Sequence, residues 1–347
     1  MDSQIFFTLK NIRRVITLLD PQENQDGRLL RLVLITFFAV LWSFPLYAAE
    51  EHSQNQDLVL GVRTDAPPFS SCPNNEASEN CQGYTFTLCK RIAERAVNEE
   101  GLYCGIRYEK VNSSNRFKLL GEKKIDMLCG ASTVTLERMR IADFTLFTFL
   151  SGASVMYRSP SRLEQNDQPN VFRIGVLQGT TSEEQVERII NIFMKKQDDY
   201  IPRLVSNHEI VTVEDHYSGL DKILNNDIQA YLADREILLS LKKEGRKRDK
   251  TLNLIVLNDY FTIEQYAIGL RLDAVDLRYV ANSVLSEMFD WENYDGSDGH
   301  IYNVLRQSFP GKRFSKSLEN MFRLQRLSVG ERLTGFLKRA SCQETLN

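Results

Sequence analysis

Ile174-Gly175-Val176-Leu177-Gln178-Gly179-Thr180-Thr181-Ser182-Glu183-Glu184 is the stretch on which the fold class turns. Four apolar residues form a short run that a glycine and two threonines stop. Two acids then open an amphipathic segment that continues to Lys195. A buried strand explains the apolar run, because a strand covered on both faces needs no polar alternation. Ser182 as N-cap, with Glu183 and Glu184 in the first turn, suits the positive end of a helix. A strand running through a tight turn into a helix is one half of a parallel β-α-β unit.

The same pattern extends downstream. Glu209–Val213, Ala230–Ala233 and Leu252–Leu257 read as strands, with helices over Leu220–Leu224 and Glu236–Lys250 between them. Upstream, Leu58–Val62 is a strand stopped by Asp65-Ala66-Pro67-Pro68, and Phe86, Leu88, Ile92, Ala93 and Ala96 recur at helical spacing. Ile106–Val111 and Ile125–Leu128 are further strands around a short helix at Arg116–Lys123. The polar piece SPSRLEQNDQPN, after the extended Ser151–Arg158, separates the two alternating units. Tyr266–Leu270 and the helix Val275–Asp290 form a tail too small to fold alone, so it packs back on the first unit. Largely parallel, helix-covered sheets in two lobes are expected, with chain crossings near Gly152–Tyr157 and Asp259–Gln265. The first lobe takes residues 50–155 and 264–347, and the second takes 156–263.

With 347 residues, 42% apolar and 26% charged, the chain suits two ordinary domains, and a net charge of -3 offers no bulk attraction for nucleic acid. Leu32–Ala49 is uncharged, follows Arg28 and Arg31, and ends in small residues. That order is a signal peptide's, and at about 18 residues it also suffices for an uncleaved anchor. Residues 1–49 are assigned to this segment, which places the remainder in the periplasm. Six cysteines fit an oxidising compartment. Cys72 and Cys81 bracket a polar loop that a disulfide would close, while Cys89, Cys104, Cys129 and Cys342 leave three pairings open. No C-x-x-C or H-x-x-x-H spacing points to a metal, and no P-loop or G-x-S-x-G motif occurs.

In open α/β sheets, ligands sit at the carboxyl ends of strands. Four such places carry polar residues: Arg63 and Asp65; Ser113-Ser114-Asn115-Arg116; Gly130–Arg138; and Gly179–Glu184. In the third, Thr133 offers donors and Arg138 a planar fork that matches a carboxylate. By residue type alone the same turn reads equally as a helix start, with Thr135 capping and Arg138 in solvent. Asp215-His216 likewise reads as a surface turn.

Taken together, LVLGVRTDAPPFS, GYTFTLCKRIA, SSNRFKLLGEKKIDMLCGASTVTLERMRIADFT and GVLQGTTSE resemble the periplasmic amino-acid-binding proteins of ABC importers (extracellular solute-binding family 3). The likeness runs from about Leu58 to Asp290 and is nearest to glutamate/aspartate-binding proteins. It implies a two-lobed, type II periplasmic-binding-protein fold with two hinge crossings, here with a C-terminal helical extension. It implies a monomer without catalytic residues, cofactor or metal, which hands an amino acid to a membrane permease. Arg138, Thr133 and the backbone at Ala131 would hold the α-carboxylate, Asp234 the α-ammonium, and Thr180 would close on the carboxylate. Arg63, Ser113, Arg116 and His216 would surround a side-chain carboxylate. Ala131 departs from the family's frequent serine, and Arg235 stands where a second acid can occur.

The resemblance also extends to cyclohexadienyl dehydratases, for which Glu137 or Asp65 would have to serve as the acid. A membrane-anchored sensor is a further alternative on the same scaffold. The basic tail beyond Asp295 reads as helices docked on the first lobe with a solvated basic face.

Overall fold

The structure, a computed structural model, describes residues 56–158, 171–196, 207–251, 253–289 and 300–326. The expected leader Leu32–Ala49, the linker 159–170, Cys342 and the tail residues Arg332, Lys338 and Arg339 lie outside the described residues. The first strand, β1 (Leu58–Arg63), is buried along almost its whole length. It is followed by the small hairpin β2 (Asp65–Ala66) and β3 (Ser70–Ser71), then α1 (Tyr84–Glu94), β4 (Ile106–Val111), α2 (Arg116–Gly121) and β5 (Met127–Cys129). Next come β6 (Asp143–Phe144), β7 (Phe149–Ser151) and β8 (Ala153–Arg158). The second alternating run is β9 (Phe172–Leu177), α3 (Thr181–Glu184), α4 (Val186–Lys196), β10 (His208–Val213), α5 (His216–Leu224), β11 (Ala230–Asp234), α6 (Arg235–Arg248) and β12 (Leu254–Val256). The chain ends through β13 (Glu264–Tyr266), β14 (Gly269–Leu270), α7 (Val275–Met288), α8 (Ile301–Ser308) and α9 (Lys316–Gln325).

Two five-stranded sheets result, ordered β4-β1-β5-β14-β6 and β10-β9-β11-β8-β12. β1 runs parallel to β4 and β5, and β9 parallel to β10 and β11. One strand in each sheet opposes its neighbours: β14 against β5 and β6, and β8 against β11 and β12. Each enters its sheet directly after the chain has crossed from the other, which reverses its direction. The crossings pair as a ribbon, β7 antiparallel to β13, with Ser151 opposite Glu264 and Phe149 opposite Tyr266. At Gly152 a Cβ would lie 2.1 Å from the Thr262 carbonyl oxygen, so only glycine lets the two crossing segments approach this closely.

Three expected elements differ in detail. Tyr266–Leu270 is not one strand: β13 belongs to the ribbon and β14 to the first sheet, so Ala267 and Ile268 must turn between them. The helix expected from Ser182 begins at Thr181, capped by Thr180, and breaks at Gln185 before α4. The helix expected at Leu220 starts earlier, at His216, because Asp215 and Ser218 form a capping box. Cys72 joins Cys81, as the short polar loop suggested, and Cys89 joins Cys129, linking α1 to β5. Cys104 is also disulfide-bonded.

The described part of the extension docks through aromatic rings. Phe309 lies 5.6 Å from Phe69, 5.8 Å from Tyr84 and 5.1 Å from Phe149, while Phe322 lies 4.7 Å from Phe289. Gln325 holds the backbone of Phe147 on both sides, accepting its N–H at 2.6 Å and donating to its carbonyl at 3.1 Å. Phe309→Ala removes the ring at the centre of this cluster and should destabilise the protein by roughly 3–5 kcal/mol in urea unfolding. A loss below about 1 kcal/mol would contradict an extension that is integral to the core.

Candidate ligand-binding site

The strand ends of the first sheet and the loops that follow them bring three arginines together, and all three are buried. Arg63 ends β1. Its Nε and Nη2 donate to the two carboxylate oxygens of Asp65 at 2.7 and 2.9 Å, a fork-to-fork ion pair. Burial alone would lower the Arg63 pKa, but the Asp65 charge outweighs it and the pKa is raised. Arg116 opens α2 after a loop that Asn112 and Asn115 tie through side-chain bonds to backbone N–H groups. Its Nη1 donates to the Ser113 carbonyl at 2.6 Å and its Nη2 to the Gly179 carbonyl at 3.4 Å. Burial, followed by repulsion from Arg63 and Arg138, pushes its pKa well down. Arg138 donates from Nη1 to the Thr133 carbonyl at 2.9 Å, with Glu184 4.0 Å from Nη2. The Phe117 ring lies 5.1 Å from the Arg116 guanidinium carbon and 4.9 Å from that of Arg138, bracing both.

From the second sheet, Gly179 adopts φ +74°, and a Cβ there would meet Ser113 O at 2.7 Å and Ser114 Cα at 2.8 Å. The rims of the two lobes therefore touch backbone to backbone at a position open only to glycine. Thr180 is committed to its helix: its hydroxyl accepts the Glu183 N–H at 3.2 Å and donates to the Leu177 carbonyl at 2.7 Å. The neighbouring Thr181 instead donates to Glu264 Oε2 at 2.8 Å. The same oxygen accepts from Thr133 Oγ1 at 2.5 Å, and Glu264 Oε1 accepts from Thr262 Oγ1 at 2.9 Å. Glu264 thus joins the loop after β5, the start of α3 and the return crossing.

His216 is buried, so the surface-turn alternative for Asp215-His216 does not hold. The His216 N–H donates to Asp65 Oδ2 at 3.2 Å, and its Nδ1 lies 2.9 Å from the Tyr231 hydroxyl. Burial lowers its pKa to about 3, and Arg63 and Arg116 add to that against the pull of Asp65. Asp234 ends β11. Its Oδ2 accepts from the Tyr266 hydroxyl, and burial together with the Glu264 charge raises its pKa well above the usual value.

Of the residues expected at the site, Arg63 and His216 meet at Asp65, Arg116 meets Ser113, Arg138 meets Thr133, and Asp234 meets Tyr266. Ala131 is half-buried beside Ser132 on the same loop. Ser113 Oγ, Arg116 Nε, Ser132 Oγ and Asp234 Oδ1 are buried with no hydrogen-bond partner among the described residues. Four such atoms on one set of strand ends are a marker of a ligand site, because a buried polar group left unpaired is costly. Sequence reading passed over Ser132, Thr181, Tyr231, Glu264 and Tyr266. A lone acid beside a predicted crossing was the one available sign of Glu264.

Two mixed sheets joined by a two-stranded hinge, with unpaired polar atoms where they face each other, define a two-lobed binding protein. The family model for bacterial extracellular solute-binding proteins, family 3, matches residues 58–295, and the chain belongs to this family, whose members are transport binding proteins and not enzymes. A glutamine-binding protein of Geobacillus stearothermophilus is 21% identical over 221 residues, covering 63% of this chain and 74% of that protein. The glutamate/aspartate import solute-binding protein of Escherichia coli (strain K12) is 22% identical over 239 residues, covering 68% and 73%. Among solved structures, an ancestral arginine-binding protein bound to arginine superposes with a TM-score of 0.56 at 19% identity, covering 74% of this chain and 98% of its own.

Two outcomes follow from this geometry. Gly179→Ala forces the rims apart and should enlarge the radius of gyration in X-ray scattering; an unchanged radius would contradict the rim contact. His216 binds a proton near pH 6.5 when unfolded and near 3 when folded. Between those values the unfolded chain holds more protons, so stability rises with pH and is lost as pH falls through the window. The contribution is on the order of 3–5 kcal/mol. Unfolding free energies at neutral and acidic pH should therefore differ less for His216→Asn than for wild type, and an equal difference would contradict a buried neutral imidazole.

Proposed function

We propose that the protein captures an acidic amino acid, glutamate or aspartate, between its lobes outside the cytoplasm and delivers it to the permease of an ABC importer. The named relatives, which bind glutamine or glutamate and aspartate, support the amino-acid class. The observation that carries the acidic choice is Arg116. Asp65 cancels the charge of Arg63, and Arg138, beside Thr133 and Ser132, is the fork for the α-carboxylate. Arg116 is left buried with no ion-pair partner among the described residues, with its Nε and the neighbouring Ser113 Oγ unpaired. A second carboxylate satisfies both, whereas a neutral side chain leaves a buried guanidinium uncompensated at a cost of several kcal/mol.

The resemblance gave Arg63 and His216 a direct part in holding the side-chain carboxylate. With Arg63 paired to Asp65 and His216 neutral, their share is to hold Asp65 and the rim in place. The open Oδ1 of Asp234 receives the ligand's α-ammonium, with Glu264 as the neighbouring negative charge. Thr180 acts through its cap, which sets the start of α3 and thereby the backbone that meets the carboxylate. Lobe closure around the hinge ribbon completes these contacts and presents the closed surface to the permease.

Titration calorimetry with glutamate, aspartate, glutamine and arginine tests the reading. Glutamate or aspartate should bind at around micromolar Kd, about -8 kcal/mol. Arg116→Met should weaken glutamate at least about tenfold more than glutamine, as expected for a lost charge-assisted bond. Tight binding of arginine alone, or an equal effect of the substitution on glutamate and glutamine, would overturn the acidic assignment.

A further inference from the structure

Lys312 lies in the turn between α8 and α9, past residue 295 where the family match ends. Its Nζ stands 5.5 Å from the ring centroid of Phe149 and 5.5 Å from that of Phe309. Those rings stack 5.1 Å apart with an interplanar angle of 11°, so one ammonium faces both. The same Nζ forms an ion pair with Glu236 Oε1. The Glu236 side chain is fully buried, and it also accepts the Ser151 hydroxyl at 2.6 Å and the Tyr260 hydroxyl at 2.7 Å. Burial would raise its pKa, but Lys312 and the two hydroxyls outweigh burial and hold it below the usual value. Ser151 belongs to the outgoing crossing and Tyr260 to the returning one. Glu236 is therefore fastened to both crossings and, through Lys312, to the C-terminal extension.

Glu236 is the second residue of α6. Asp234, the N-cap of that helix, makes no capping bond with its own side chain, so its carboxylate remains turned to the cleft. The residue between them is held as well. The Arg235 N–H donates to the Gly152 carbonyl at 3.0 Å, and its guanidinium donates to the Leu257 carbonyl and Asn258 Oδ1, each at 3.0 Å. Asp234 is placed by its ladder pairing with Ala153, by the Tyr266 hydroxyl on Oδ2 and by what grips the two residues after it. Of those grips, only the Lys312 ion pair comes from outside the hinge and the second lobe.

We propose that Lys312 is a positioning residue for ligand capture: by pairing with Glu236 at the hinge it fixes the first turn of α6 and aims the open oxygen of Asp234 into the cleft. This rests on the reading of the cleft as an amino-acid site. Without the ammonium, the buried Glu236 carboxylate has two neutral donors and no ion-pair partner among the described residues. It must then take up a proton or draw in water, and either change shifts the turn that carries Asp234. Among the described residues Lys312 pairs with Glu236 and faces the rings of Phe149 and Phe309, none of them a proposed ligand contact, so its effect is one of aim and not of contact.

The test uses the full chain with Lys312→Met, Lys312→Arg and the double variant Lys312→Met/Glu236→Gln. Calorimetry with glutamate and aspartate should show about a tenfold weaker Kd for K312M, a size usual for one coupled network contact. K312R should bind like wild type. The double variant should recover most of the affinity, because a neutral amide leaves no unpaired buried charge. A merely structural role predicts a lower melting temperature of the unliganded protein with Kd unchanged, and that result overturns the proposal, as does failure of the double variant to recover. If wild type binds none of the amino acids, the functional reading falls and the positioning claim is read from amide hydrogen exchange instead. Exchange at the Arg235 amide should speed up in K312M and slow again in the double variant; an unchanged rate overturns it.

Discussion

Guanidinium groups lose much of their hydration when Arg63, Arg116 and Arg138 are buried between two sheets, and the fold around them is arranged to supply partners. A buried charge without a counter-charge is among the largest single penalties a protein can carry. Arg63 meets this with Asp65, two residues along the same chain. Arg138 meets it with a carbonyl, a nearby aromatic face and acids at greater range. Arg116 has two carbonyls and the face of Phe117, but no ion pair among the described residues. This imbalance, more than the shape of the cleft, is the basis of the proposed second carboxylate.

The hinge carries the complementary sign. Glu264 sits on the crossing ribbon and accepts hydroxyls from Thr133, Thr181 and Thr262, which belong to three different segments. Asp234 lies close enough for Glu264 to raise its pKa, with the Tyr266 hydroxyl on its other oxygen. Acids at the hinge and arginines at the strand ends form a dipolar cleft, which suits an ammonium at one end and carboxylates at the other. Opening the lobes would break the Thr181 bond, the Gly179 approach and the His216–Asp65 bond together. These three contacts lie together where the two sheets face each other.

Much of this was legible in the sequence, for physical reasons. The alternation of short apolar runs with amphipathic segments has only a few architectural solutions, so the two sheets and the return of the chain could be read. Arg116 and Arg138 stand just after strand ends, where a ligand would be expected, whereas Asp234 came from the family resemblance. Arg63 and Asp65 stand two apart on extended backbone, so their meeting on one face was readable, yet Arg63 was given to the ligand as if free. Thr180 and Thr181 are neighbours of the same type. Which one caps the helix and which reaches Glu264 depends on a one-residue shift in the helix start, below the resolution of capping rules. Glu264 gave almost no signal, because its three partners lie 2, 83 and 131 residues away. The pairing of Cys89 with Cys129 likewise required the strand order.

The central claim is that Arg116 and Arg138 hold two carboxylates of one amino acid while Asp234 holds its ammonium. A crystal structure of the protein grown with glutamate tests this most directly. The account predicts one carboxylate within hydrogen-bond reach of Arg138 and Ser132, the other on Arg116 Nε and Ser113 Oγ, and the ammonium on Asp234 Oδ1. A ligand bound with its ammonium toward Arg116, or with no carboxylate at Arg116, would contradict it.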